Sequence, residues 1–280
     1  MDTKVEFHCH TNASDGKLSP TEVIIRAKNN GVSILSITDH DTTIGLDEAF
    51  KASKENNIKL IPGIELSTIH NNESIHILGY FKDDSYKNPK FQSFLKEIQD
   101  SRIERGKKIV SNLKKYFNID IDYNKVCEKG NGVIARPHIA STIIEAGYNY
   151  SWNYIFDKLI SKDSPAYVHN KKVSITEGIN LIKENNGIVI LAHPKLIHKT
   201  SIEEMLEFNF DGLEAIYFQN FKKDTSHLIS LARNKDLLIT CGSDFHGISD
   251  GDTKHGDIGD MSNLLDKDDL NKFLKALNIN

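Results

Sequence analysis

Apolar and β-branched runs alternate with stretches of helical period along most of the chain, a pattern that predicts an α/β fold. Residues 4–10 (KVEFHCH) read as a first strand. A helix follows from Pro20, where Ser19 as N-cap and Glu22 three residues on make a capping box with proline at N1. Residues 33–39 read as a second strand, 45–56 as a helix, and 58–64 and 74–80 as the third and fourth strands. The rhythm resumes with a helix over 175–186, opened by a second capping box from Ser174 to Glu177 and stopped by Gly187. Strand 188–192, a helix near 201–208, strand 212–217, helix 222–234 and strand 237–241 complete the order. Seven strands, mostly separated by helices, favour a parallel sheet closed as a barrel. An open doubly wound sheet is the alternative, and no glycine-rich nucleotide loop supports it.

Between the fourth and fifth strands the pattern changes. Residues 88–165 are helical by period over 91–117, 137–147 and 151–161, with no low-complexity linker at either end. The expected organisation is a barrel built from 1–87 and 166–280, carrying 88–165 as a helical insertion that caps the substrate.

Composition adds a few limits. At 280 residues with 39% hydrophobic side chains, the chain can bury a substantial core. A formal charge of −4 argues against broad, sequence-independent binding to nucleic acid but not against a small phosphorylated substrate. Cys9, Cys127 and Cys241 are far apart and form no CxxC pair, and no signal pattern or membrane-length apolar run is seen. The expectation is a soluble, cytoplasmic protein with no membrane association and no evident protein partner.

The candidate chemistry lies in where the histidines fall. His8 and His10 end the first strand on one face, and Asp15 follows in the turn. His40, flanked by Asp39 and Asp41, follows the second strand; Glu65 ends the third, and His76 lies in the fourth. His193 ends the fifth, and Asp244 and His246 close the seventh. Strand ends of a parallel barrel meet at one rim, so nine potential ligands should converge there. Imidazoles with carboxylates suit Zn²⁺, Mn²⁺ or Fe²⁺, and their number exceeds what one ion uses. Asp39 and Asp41 are expected to orient ligand imidazoles. His70, His169, His198, His227 and His255 fall in loops or helices and read as surface residues. Cys9 points to the other face of its strand and reads as packing. No Walker loop, HExxH or GxSxG elbow occurs.

The blocks FHCHTNASDG, ITDHDT, GIELS, HILGY, LAHP and GSDFHG resemble, in order, those of the PHP family of polymerase and histidinol phosphatase domains. The resemblance implies a distorted seven-stranded (β/α) TIM-like barrel with two or three divalent ions, manganese first, with Fe²⁺ or Zn²⁺ as alternatives. One ion would take His8, His10, Glu65 and Asp244; a second would share Glu65 with His76 and His193; a third would use Asp15, His40 and His246. The insertion blocks ARPHIASTIIEAGY and SPAYVHN resemble the branch related to RNase AM. That branch implies hydrolysis of 3′,5′-nucleotide bisphosphates, or 5′-to-3′ cleavage of short RNA ends, by a metal-activated hydroxide. Its implied catalytic set is Glu65, Asp244, Arg136 and His138, with Arg136 and His138 binding the substrate phosphate. The residues agree with that, since Pro137 opens a helix whose first amides, with Arg136, can hold an anion. Tyr167, Tyr217 and Phe218 are candidates for stacking on RNA bases, although aromatics in such positions more often pack in the core. Histidinol-phosphate phosphatase and a non-catalytic metal-binding module remain as alternatives.

Overall fold

Seven strands form one sheet in which spatial order follows sequence order. The computed structural model describes residues 3–130, 134–169, 171, 173–247 and 252–279. Strand β1 (Val5–Glu6) leads to α1 (Pro20–Asn29), β2 (Ile34–Ile37), α2 (Leu46–Asn56), β3 (Lys59–His70) and β4 (Glu73–Phe81). Then come α3 (Pro89–Phe117), α4 (Tyr123–Gly130), α5 (Arg136–Glu145), α6 (Trp152–Tyr154) and a π-helical stretch over Ile155–Leu159. The barrel resumes with α7 (Ile175–Glu184), β5 (Gly187–Leu191), α8 (Ile202–Met205), β6 (Gly212–Tyr217), α9 (Lys222–Asn234), β7 (Leu238–Gly242) and α10 (Lys267–Ala276).

Both expected capping boxes are present, at Ser19–Glu22 and Ser174–Glu177. The left-handed turn after α7 falls on Asn186 (φ 54°), one residue before Gly187, which instead begins β5. The sheet is mixed rather than parallel throughout. β1, β2 and β3 pair in parallel, as do β5, β6 and β7, but β4 is antiparallel to both of its neighbours. The cause is local. Asn71 and Asn72 both hold positive φ (46° and 60°), which a two-residue type I′ hairpin turn requires, so β3 folds straight back into β4.

β1 is shorter than its apolar pattern. Glu6 Oε1 accepts the His8 N–H (3.0 Å), which takes that amide out of the ladder. Residues 8–10 still lie between two strands. The Thr38 N–H donates to the Cys9 carbonyl (2.9 Å), Asp244 N–H to the His8 carbonyl (2.9 Å) and His10 N–H to the Phe245 carbonyl (2.8 Å). These bonds nearly close the sheet into a barrel by joining its first and last edges.

Buried apolar side chains form two clusters. One fills and surrounds the barrel, where Phe273 of α10 packs edge-on against Phe7 (4.8 Å between rings) and Tyr80 (5.1 Å). The other lies within the insertion and joins Ile109, Leu113, Val126, Ile139, Ile143 and Ile155. α3 serves both. Its 29 residues reach about 43 Å, and Phe91, Leu95 and Ile98 pack on the barrel while Ile109 and Leu113 pack in the insertion. Between these stretches, Arg102 Nε donates to Asp41 Oδ2 (2.8 Å) and Nη2 to Ser67 Oγ (2.7 Å), a buried clasp from α3 to the barrel rim. Among the described residues, no helix is long and apolar enough to cross a membrane.

Candidate metal centre

All nine sequence-derived candidates meet at one rim, and Glu65 sits in their midst. Its Oε1 lies 2.9 Å from His76 Nδ1 and 2.9 Å from His193 Nε2. Its Oε2 lies 3.3 Å from His8 Nε2, 3.2 Å from His10 Nε2 and 3.1 Å from His40 Nδ1. Asp244 Oδ1 approaches the same two nitrogens of His8 and His10 (3.4 and 3.2 Å). Asp15 is 3.3 Å from His246 Nε2 and 3.9 Å from both His10 and His40. Because β4 runs antiparallel to β3 and β5, His76 reaches this rim from the first half of its strand, whereas Glu65 lies midway along β3 and His193 two residues past the end of β5. In β3 and β4, His76 pairs with Ser67 two residues past Glu65, which sets the imidazole beside the carboxylate.

Local backbone shape aims several of these groups. His193 (φ 28°) and Asp244 (φ 53°) hold positive φ, a conformation that costs a non-glycine residue roughly 1–3 kcal/mol and concentrates at functional sites. Asp39 fixes the loop that presents Asp15, accepting from the Thr11 N–H (2.7 Å), Thr11 hydroxyl (2.7 Å) and Ser14 hydroxyl (2.6 Å). Asp41 accepts from the Ser67 N–H (2.7 Å) and Arg102. Neither aspartate holds an imidazole, so the orienting role expected of them falls to another residue. That residue is Glu214, wholly buried in β6, whose Oε1 is 2.9 Å from His8 Nδ1 while Oε2 accepts the His193 N–H (2.8 Å). Sequence reading missed it, although a lone acid inside the apolar run GLEAIY was a usable signal. Tyr217, one of the aromatics weighed for stacking, is buried in the core, and its hydroxyl donates to Asp244 Oδ2 (3.0 Å).

The donor set suits divalent cations. His10 Nδ1, Asp15 Oδ1, His40 Nδ1, Glu65 Oε2 and His193 Nδ1 are buried without a hydrogen-bond partner, a state that costs about 1–3 kcal/mol per atom unless something fills it. Electrostatics agree. Burial alone would raise Glu65, Asp15 and Asp244, yet the surrounding imidazoles hold all three carboxyls well below the usual range. Burial pushes His40 down to about 4. His10 is driven up to about 10 despite burial, by the Asp244 and Glu65 carboxylates beside its ring. The carboxylates demand positive charge, and a metal ion supplies it in place of a proton. Four groups place one donor atom each within 4.8 Å of the others: His8, His10, Glu65 and Asp244; His10, Asp15, His40 and His246; His40, Glu65 and His76; and Asp244, His246 and His255.

His255 is a correction, because it is not a surface residue. Its ring centre lies 4.3 Å from that of His246 with the planes tilted by 37°, and its Nδ1 lies 2.7 Å from Asp252 Oδ2. Cys9 agrees with a packing role, being buried with its thiol donating to the Ser36 carbonyl (3.3 Å).

A cavity of about 440 Å³ opens over the cluster, with walls from the rim and from the insertion. His138 lines it and is buried; its Nδ1 accepts the Ala135 N–H (3.1 Å) at the start of α5. Arg136 is not among the lining residues; its guanidinium packs 5.6 Å from the centre of the Phe156 ring. Tyr167 lies under Arg105 (5.5 Å), and neither Tyr167 nor Phe218 borders the cavity. Lys17, Lys129, Trp152 and Phe156 do, and sequence reading singled out none of them.

Comparison with known proteins places this geometry. The family model described as PHP domain matches residues 6–239. A 5′-3′ exoribonuclease of Haemophilus influenzae is 33% identical over 88% of this chain and 91% of its own length. A 3′,5′-nucleoside bisphosphate phosphatase of Chromobacterium violaceum is 28% identical, covering 92% of each. A crystal structure from Bifidobacterium adolescentis, described as a metal-dependent phosphoesterase, superposes with a TM-score of 0.83 at 30% identity, over 99% of this chain and 97% of that one. The family model spans most of the chain, and the exoribonuclease is a third identical over nearly all of both lengths: the chain belongs to the PHP domain family.

Proposed function

We propose that nucleotide phosphate esters are the substrates of this metal-dependent phosphoesterase, either 3′,5′-nucleotide bisphosphates or the 5′ ends of short RNA. The reading rests on one observation: Glu65 gathers five imidazoles within 3.3 Å while its own Oε2 has no hydrogen-bond partner, directly beneath a cavity that also presents lysines. The relatives named for cleaving RNA and nucleoside bisphosphates support the choice of substrate.

In this reading His8, His10, Glu65 and Asp244 hold one ion, Glu65, His76 and His193 a second, and Asp15, His40 and His246 a third, with manganese the first candidate. Bound there, divalent ions supply Lewis-acid stabilisation of phosphoryl oxygens and lower the pKa of water. The protein's own part is orientation. Glu214 fixes the rotation of His8, and Tyr217 holds one oxygen of Asp244 so that the other faces His8 and His10. His138 has its Nδ1 occupied as an acceptor, so the neutral ring keeps its proton on Nε2 as a donor for a phosphate oxygen. A clamp from Arg136 requires its guanidinium to leave Phe156. The three cysteines are free and two are buried, which suits a reducing cytoplasm.

The test is release of inorganic phosphate from pAp and histidinol phosphate, and of mononucleotides from a short 5′-phosphorylated RNA, each with Mn²⁺ and after chelation. The reading expects pAp and the RNA to be cleaved only with metal. Preference for histidinol phosphate would overturn it.

A further inference from the structure

The cavity has an aromatic wall that the metal chemistry does not use. Trp152 and Phe156 both border it, one helical turn apart, with ring centres 5.3 Å from each other and planes tilted by 31°. Trp152 is 39% exposed, a large apolar area left open beside the imidazoles and carboxylates of the rim. Phe156 lies in the π-helical stretch Ile155–Leu159, a wide and irregular turn of the kind that recurs at functional sites. The Arg136 guanidinium lies over the Phe156 ring, 5.6 Å from its centre, and helps hold it in place. Three lysines border the cavity, Lys17, Lys129 and Lys254. Lys17 comes from the rim loop beside Asp15 and has no carboxylate partner within 4 Å among the described residues, while Lys129 pairs with Glu145 (2.6 Å).

We propose that Trp152 and Phe156 form a base-stacking wall, and that Lys17 neutralises a phosphate of the same ligand away from the metal cluster. The ligand this fits has a broad aromatic ring and a phosphate joined by a sugar-sized polar spacer, as in a nucleotide; histidinol phosphate, with a small imidazole on an aliphatic chain, offers less area to stack. Neither a sugar phosphate nor an aliphatic phosphomonoester would use the aromatic wall. Stacking on an aromatic side chain accepts every base, because each presents a π-face, so the wall selects nucleotides without selecting sequence. This inference rests on the reading of the site as a nucleotide phosphoesterase and names the residues that would make it one.

The chain contains a single tryptophan, so its indole emission reports Trp152 alone. The metal-loaded protein is titrated with AMP and, separately, with ribose 5-phosphate, which carries the same phosphate without the base. Saturable quenching by AMP and none by ribose 5-phosphate is the expected result. Phe156→Ala should weaken AMP binding about tenfold, since a stacked base is worth roughly 1–3 kcal/mol. Trp152→Ala should raise KM for pAp by a similar factor while kcat changes less than twofold. Lys17→Ala should weaken AMP and ribose 5-phosphate alike. If pAp is hydrolysed, yet AMP leaves the emission unchanged and neither aromatic substitution moves KM, the stacking wall is wrong and the phosphoesterase reading stands. If AMP quenches but neither pAp nor RNA is cleaved, the wall stands and the substrate reading fails.

Discussion

Glu214 and His8 meet in the barrel interior with 2.9 Å between carboxylate oxygen and Nδ1, and both are shielded from solvent. The contact determines which imidazole nitrogen remains for the cluster, because Nδ1 is committed to Glu214 and Nε2 faces Glu65 and Asp244. The other Glu214 oxygen accepts the His193 amide, so one carboxylate orients two candidate ligands. There is no room for adjustment: a Cβ at Gly242 would lie 2.2 Å from Glu214 Oε1 and 2.3 Å from His8 Cβ.

Glu214→Gln replaces one of these acceptors with an NH₂ group, which then faces either His8 Nδ1 or the His193 amide. Supporting residues of this kind typically change metal affinity by about 10–100-fold. The expected outcome is a rise of that size in the Kd for Mn²⁺, measured by calorimetry, with activity restored at high metal concentration. An unchanged Kd would mean that Glu214 is only a packing residue.

The clasp between Arg102 and Asp41 ties the insertion's long helix to the rim. Arg102→Met leaves the Asp41 charge buried and unpaired, which should cost about 3–5 kcal/mol in urea denaturation. Adding Asp41→Asn removes the orphaned charge, and asparagine tolerates the positive φ of 53° at that position. The double variant should therefore recover more than half of the loss. Equal stability of the single and double variants would show that the ion pair is not what holds the helix.

His138 carries an acid-sensitivity of its own. Burial lowers its pKa to about 4, below the ordinary 6.5, so between these values the unfolded chain binds a proton that the folded one refuses. Stability contributed by neutral His138 is therefore complete above pH 6.5 and declines as pH falls toward 4, by about 2 kcal/mol between pH 7 and pH 5. His138→Gln keeps an acceptor for the Ala135 N–H, as glutamine does in a capping box, and removes the titration. The difference in urea midpoint between wild type and variant should shift toward the variant as pH drops from 7 to 5. A pH-independent difference would contradict the assignment.

The strands and the nine clustered side chains were legible because each carries a local signal: an apolar run with a ligand-type residue at its end. Glu65 and His76 illustrate the limit. Their contact depends on an antiparallel hairpin, and the Asn71–Asn72 turn that makes it is two residues long within a region otherwise patterned as βα units. His255 was misread because a loop position carries no periodicity that could place its ring beside His246. Trp152 and Phe156 have helical spacing, which fits a packing stripe as well as a cavity wall, so solvent exposure alone separates the two. Arg136 was legible as a charged residue at a helix start, but its side chain turns toward Phe156, a contact no spacing encodes.

The most direct test counts bound metal and phosphate release in the same samples. Wild-type protein reconstituted with Mn²⁺ and desalted should retain two to three ions per chain by elemental analysis and hydrolyse pAp. Chelation should abolish both, and re-addition of Mn²⁺ should restore both. Glu65→Ala, which removes the carboxylate shared by five imidazoles, should lower metal content and reduce turnover by about 100-fold or more. Full activity in a sample with no detectable metal, or an unaltered metal content in Glu65→Ala, would contradict the account.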